Sequence, residues 1–309
     1  KQFFKSYHDQ LLMFRFIVAA GLIYSIPILY EIRMSPQLHS AFYGYFPHSF
    51  AQQVRDGGFR SVVFMGHGLV VSFFVVCVLT AAITLGKVGE QIRKFSSKKI
   101  SYYLLIVLVL CKSKAALLYG LFSFIMIRKI SYKMQLRAAT LLVLITLLYP
   151  AMSIMKIFPH QAVINVASNY LGPDRAASLK FRFDNEHILL EHAKKRFLFG
   201  WGSSGRNRAR DEETGADISV TDGGWIITLG ISGIIGFIAK FGLLALSIFR
   251  AKTAAKLIKD KSQQTLLAAH ALLVSIIMID QIPNASLAPW LWLVVGVLLG
   301  RTEYILAKK

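Results

Sequence analysis

The chain has 309 residues, 55% of them hydrophobic, a mean hydropathy of +0.52 and a formal charge of +20. That hydropathy excludes an ordinary soluble domain built around one core. The charge does not point to nucleic acid, because most Lys and Arg residues fall in short loops between apolar runs, where positive charge sets membrane topology.

The first residues from Lys1 read as a loop, and an N-terminal part carrying further spans is expected to precede them. A run of about 20 apolar residues crosses a hydrocarbon core of roughly 30 Å. Such runs lie at 11–30, 61–85, 100–127, 138–158, 225–249, 265–282 and 288–306. Cys77 and Cys111 fall inside them and read as packing residues. Loop 86–99 carries five Lys/Arg against one Glu, loop 128–137 four and no acid, and loop 250–261 five against one Asp. The positive-inside rule places all three in the cytoplasm, together with the terminal "KQFFK" and "AKK".

Two of these loops flank the single run 100–127, so that run must enter the membrane region and return. Each limb then has about 14 residues, or roughly 21 Å of helix, which is too short for a full crossing. The turn of this hairpin falls near "CKSKAA" (111–116), with Lys112 and Lys114 at membrane depth, where charge faces a polar cavity or a partner. The alternative is one long tilted helix that disobeys the charge rule. By parity, loops 31–60, 159–224 and 283–288 are external.

Loop 159–224 holds nine Lys/Arg and nine of the sixteen acidic residues. Within it, 178–197 reads as an amphipathic helix capped by Ser178 and stopped at Gly200, with Arg182/Glu186 and Glu191/Lys195 paired along its faces. "GWGSSG" (200–205) matches Gly-x-Gly-x-x-Gly, but a helix precedes it where a dinucleotide site needs a strand. It reads as a tight turn with exposed backbone N–H groups, able to hold an anion. The expected fold is an all-α polytopic bundle, 1–309 as one membrane domain, with loop 159–224 carrying the amphipathic helix.

"RFDNEHILLEHAKKRFLFGWG" (182–202) resembles a segment of the bacterial O-antigen ligase and polymerase family, in which an Arg precedes an amphipathic helix ending in "P-L-F-G-x-G". Phe197 stands where that family's Pro is common. "FRSVVFMGHG" (59–68) is similar to the family's early external Arg with a His seven residues on, here Arg60 and His67. "LCKSKAALL" (110–118) resembles its "S-R-G-A" turn, with Lys114 for Arg. "TDGGWIITLGISGIIG" (221–236) resembles its "H-N-x-Y-L…G-L-x-G" entry into a span, with Asp222 in place of the ligase-type His. The likeness runs over about 60–250.

The resemblance implies a glycosyltransferase of the bacterial inner membrane with its long loop periplasmic. It would move or polymerise glycan from undecaprenyl diphosphate onto an acceptor hydroxyl of another glycan, lipid A-core or protein. It implies no cofactor, no metal and no nucleic acid, and contact with membrane lipid. Arg60 and Arg182 would hold the diphosphate, since a guanidinium fork fits phosphate oxygens. Asp222 would act as base or orient the acceptor. His67, Lys114 and Arg206 would line the substrate site. Each also has a plainer reading: Arg60 an interfacial anchor, Arg182 a surface partner of Glu186, Asp222 a helix cap, His67 a buried neutral His, Lys114 a snorkelling Lys, and Arg206 part of a solvated lid. The competing functional class is a transporter or flippase for a lipid-linked or anionic substrate, for which the hairpin argues but no internal repeat does; a non-catalytic membrane scaffold is the third.

Overall fold

Each apolar run becomes helix in the computed structural model, which describes residues 3–55, 57–92 and 95–308, with the backbone alone at residue 171. Lys1 and Gln2 of "KQFFK", Arg93 and Lys94 of the first basic loop, and Lys309 of "AKK" lie outside the described residues. In chain order the helices are α1 (Tyr7–Met34), α2 (Leu38–Tyr43), α3 (Gly68–Lys87), α4 (Ser97–Leu110), α5 (Lys114–Lys129), α6 (Tyr132–Ile154), α7 (His160–Leu171), α8 (Pro173–Lys194), α9 (Gly224–Ala254), α10 (Lys261–Asp280) and α11 (Pro289–Ala307). A two-residue hairpin, β1 (Val54–Arg55) with β2 (Gly58–Phe59), lies between α2 and α3. Helices α1, α3, α6, α9, α10 and α11 are long and apolar enough to cross a membrane. The protein is an all-α, multi-pass membrane bundle.

Run 100–127 is the hairpin that loop parity demands, and the single tilted helix is excluded. Helices α4 and α5 have 14 and 16 residues, about 21–24 Å each. The chain reverses at Lys112, whose φ is +53°. Ser113 then caps α5, its hydroxyl accepting from the Ala116 N–H.

The chain packs as two compact units. The first comprises residues 1–139, 247–276 and 290–309. At its centre α3 is packed by α1, α4 and α5. Small residues let these helices close up: a Cβ on Gly21 would strike Val78, and one on Gly120 would strike Leu108. Hydroxyls inside the unit donate to carbonyls one turn back, as Ser72 to Gly68 and Thr84 to Thr80 do, so these hydroxyls are satisfied within their own helix. The second unit comprises residues 140–246 and 277–289. It holds the long polar segment, whose helical content exceeds the expectation. Helix α8 begins at Pro173, not at a Ser178 cap, because Gly172 (φ +92°) breaks the chain and proline suits the first helical position. A further helix, α7, precedes it and packs on it.

Candidate functional site

The second unit is organised by a break in a membrane-crossing helix. At Gly233, φ is +64° and ψ is −167°, so α9 cannot continue its ladder. In an unbroken helix the N–H groups of Ile234 and Ile235 would bond the carbonyls of Gly230 and Ile231. Here the segment after α8 enters the gap and takes both sides of that exchange. Ile234 N–H donates to Phe197 O at 2.8 Å and Ile235 N–H to Leu198 O at 3.3 Å. In return Trp201 and Gly202 N–H donate to the carbonyls of Gly230 and Ile231, both at 2.8 Å. All four backbone groups are satisfied inside the protein, as a low-dielectric setting requires. Gly200 (φ +72°) permits the approach, since a Cβ there would lie 2.5 Å from the Ile231 carbonyl carbon. The "GWG" turn is therefore not a cradle of exposed N–H groups: those of Trp201 and Gly202 are committed to the helix break.

This insertion fixes α8, and α8 presents Arg182 and Glu186 to a cavity of about 320 Å³. Tyr149, Phe158, Phe183 and Ile226 give it predominantly apolar walls. Arg182 sits at the mouth, its side chain 35% exposed, with Nε 3.6 Å from Asp222 Oδ2 and Nη1 donating to Pro283 O at 3.0 Å. The expected surface pair of Arg182 with Glu186 is not formed. Likewise Lys194, not Lys195, bonds Glu191 at 2.8 Å, because the end of α8 turns Lys195 toward Glu212.

Glu186 lies one helical turn from Arg182 and faces inward. Its Oε1 accepts from the Tyr149 hydroxyl at 2.7 Å and from Ser153 Oγ at 3.4 Å; its Oε2 accepts from Trp225 Nε1 at 3.3 Å. Burial pushes its pKa up to about 7, and the hydrogen bonds from Tyr149, Trp225 and Ser153 hold it from rising further. His160 in α7, whose ring lies 4.5 Å from that of Phe183, has its pKa lowered by burial and then by His187.

Asp222 does not cap α9. The first N–H groups of that helix go elsewhere: Gly224 N–H to Asn284 O at 2.9 Å and Trp225 N–H to Gln281 O at 3.2 Å. The turn that supplies these carbonyls is pinned by Asp280, which accepts from Asn284 Nδ2 at 2.8 Å and from Ser286 Oγ. Gly223 and Gly224 serve this packing, since a Cβ on either would fall within about 2.5 Å of Ile282 O or Gln281 Oε1. Asp222 is left beside Arg182 at the cavity mouth.

The other expected residues stand apart from this cavity. Arg206 is exposed and folds back on its own turn, Nε donating to Ser203 O at 3.2 Å. The segment after it is a hydrogen-bonded loop closed by the Arg208–Asp217 ion pair and by antiparallel backbone pairing of Arg210 with Asp217, not a free lid. His192 packs flat on Trp201, ring centroids 4.4 Å apart, and bonds Arg206 O. In the first unit Arg60 is 8% exposed and donates through Nη2 to Lys112 O at 3.1 Å. Lys112, in turn, donates from Nζ to Arg55 O at 2.9 Å. His67 lies before α3, not within it, and caps the helix: Nδ1 accepts from Leu69 N–H at 3.0 Å. Lys114 is exposed at the first turn of α5.

Of the residues singled out from sequence, the structure thus brings together Arg182 and Asp222. It adds Glu186, Tyr149, Ser153 and Trp225, which sequence reasoning missed. Spacing carried a signal for Glu186, four residues from Arg182 on one helix face. Trp225 opens an apolar run and Tyr149 lies within one; both are amphipathic rings whose polar tip seeks a partner. Among the described residues no group of three His, Cys, Asp or Glu side chains gathers as a metal site. Compared with known proteins, the chain is matched by no family model and by no curated relative.

Proposed function

We propose that the protein is a membrane glycan transferase. It moves or polymerises a glycan carried on undecaprenyl diphosphate onto an acceptor hydroxyl, at the periplasmic face of a bacterial inner membrane. The observation that supports this most is the placement of Arg182: a guanidinium about one-third exposed at the mouth of an apolar cavity in a membrane protein, held by Asp222 and the Pro283 carbonyl. An apolar wall suits the carrier's hydrocarbon, and the guanidinium suits its phosphates.

In the reaction the acceptor oxygen bonds the anomeric carbon while the bond from that carbon to the phosphate oxygen breaks. The electron pair leaves on the diphosphate, and the acceptor proton passes to a protein base. Arg182 stabilises the charge that grows on the leaving diphosphate. Its contact with Asp222, at 3.6 Å, is long enough to be exchanged for phosphate oxygens. No role in this step is assigned to Arg60, which lies in the other unit and donates to the Lys112 carbonyl.

Transport of a lipid-linked or anionic substrate is the second reading. The break in α9 favours it, because broken helices mark many transporter sites; the freed backbone groups here are already taken by residues 197–202. Purified protein in liposomes with an undecaprenyl diphosphate-linked glycan separates the two. Release of undecaprenyl diphosphate with a lengthened or transferred glycan is expected, and Arg182→Ala should cut that release by about 100-fold, a loss of ~3 kcal/mol of transition-state stabilisation. A carrier that changes leaflet and is never consumed would replace the transferase reading with transport.

A further inference from the structure

We infer that Glu186, and not Asp222, is the group that takes the proton from the acceptor hydroxyl. This inference rests on the transferase reading and assigns that reaction its base. Glu186 lines the same cavity as Arg182 and Asp222. It stands one turn of α8 from Arg182, so an acceptor oxygen and a leaving diphosphate can lie side by side along the helix. Its two oxygens are aimed by groups from two other helices, Tyr149 and Ser153 on α6 and Trp225 on α9. A carboxylate fixed on three sides by neutral donors still has a lone pair for a fourth partner.

The charged and titratable groups around it are Tyr149 from α6, His160 from α7, Arg182 and His187 from α8 itself, Asp222 from the segment before α9, and Asp280 beneath the 281–286 turn. Asp280 is occupied by Asn284 and Ser286. Asp222 has Oδ2 turned to Arg182, so a proton arriving there weakens the pair that holds Arg182 at the mouth. Glu186 holds no cation in place and gives up none when it is protonated. Burial has also raised its proton affinity to match a reaction near neutral pH.

In the step assigned to it, the acceptor O–H proton moves to a Glu186 oxygen as the new glycosidic bond forms. The anomeric carbon–phosphate oxygen bond breaks, and the diphosphate departs against Arg182. Glu186 ends neutral and returns its proton to water through the cavity mouth.

The test is the pH profile of kcat/KM for carrier consumption in the full-length protein. Wild type should show an acid limb with its midpoint near pH 7. Glu186→Gln should lower kcat by at least about 100-fold with donor KM little changed, and should abolish the limb; Asp222→Asn should keep it. Tyr149→Phe removes a donor that favours the carboxylate, so it should move the limb to higher pH, which serves if Glu186→Gln does not fold. The infrared carboxyl band of Glu186 should titrate over the same range without turnover and vanish in Glu186→Gln. A Glu186→Gln protein within threefold of wild type, or a limb unmoved in both variants, overturns the inference and leaves the transferase reading standing. Wild type that consumes no carrier at any pH overturns the transferase reading, and the assignment with it, whatever the infrared titration shows.

Discussion

In the first unit, Glu31 is fully buried and accepts from three backbone N–H groups: Leu38 through Oε1, and Val62 and Val63 through Oε2, at 2.7–2.9 Å. In the second, Glu186 accepts from three side chains at the edge of a cavity. The arginines divide the same way. Arg60 is buried and bonds a backbone carbonyl of the α4–α5 turn, while Arg182 is a third exposed beside Asp222. A charge that ties down backbone holds a loop in one conformation and is expensive to disturb. A charge held by side chains at a cavity wall can exchange partners. Glu31 and Arg60 of the first unit are therefore fasteners, as Asp280 is in the second, whereas Arg182 and Glu186 stand at a cavity a ligand can reach.

Four measurements break or sharpen this contrast. The largest effect is expected at Gly233. A Cβ there would lie 2.2 Å from Leu198 O, and φ is positive, so Gly233→Ala should cost at least about 3 kcal/mol, seen as a lower unfolding midpoint in detergent, and should displace the segment that carries Arg182. Next is Glu31→Gln. The amide turns a donor toward N–H groups already in place, and a loss of ~2–3 kcal/mol in the same melt would mark Glu31 as a fastener. Arg60→Ala should follow, at about 1–3 kcal/mol, from the stranded Lys112 carbonyl and the lost packing on Gly68. Arg182→Ala in the same melt should move by less than about 1 kcal/mol while it abolishes carrier release. An Arg60→Ala protein with normal stability and no transfer would erase the distinction between the two arginines.

A further check is a pH dependence. Folded, Glu186 keeps its proton up to about pH 7, whereas an ordinary carboxyl has a value of 4.5. Between those values the native state binds more protons than the unfolded one, so stability falls as pH rises and levels off above 7. The fall is on the order of 1–2 kcal/mol once screening of a half-buried group is discounted. Glu186→Gln should flatten that slope in urea or thermal melts taken from pH 4 to 8.

Much of this architecture is legible along the chain because membrane helices obey local rules. Hydrophobic run length and Lys/Arg bias are properties of contiguous sequence, so the spans and the α4–α5 hairpin can be counted before any packing is known. Helix α8 is legible from its pattern, but its start is not: Gly172 and Pro173 outweigh the cap chemistry of Ser178. Helix α7 carries an apolar stripe at helical spacing, Val163, Ala167 and Tyr170, that the reading of the loop leaves out, and it packs on α8.

The site divides on the same line. Arg182 and Asp222 are forty residues apart, and their closeness depends on a helix break at Gly233 and on the segment that fills it. No local pattern foretells that exchange, because its four hydrogen bonds join residues about thirty to forty positions apart in the chain. Run lengths and charge bias were enough for an all-α, multi-pass membrane protein, since lipid requires that a span's backbone be satisfied within the protein, most simply by helix. Which charges are fasteners and which face a cavity depends on partners brought from elsewhere in the chain. Desolvation and hydrogen bonding act through space, and only the folded chain sets those distances.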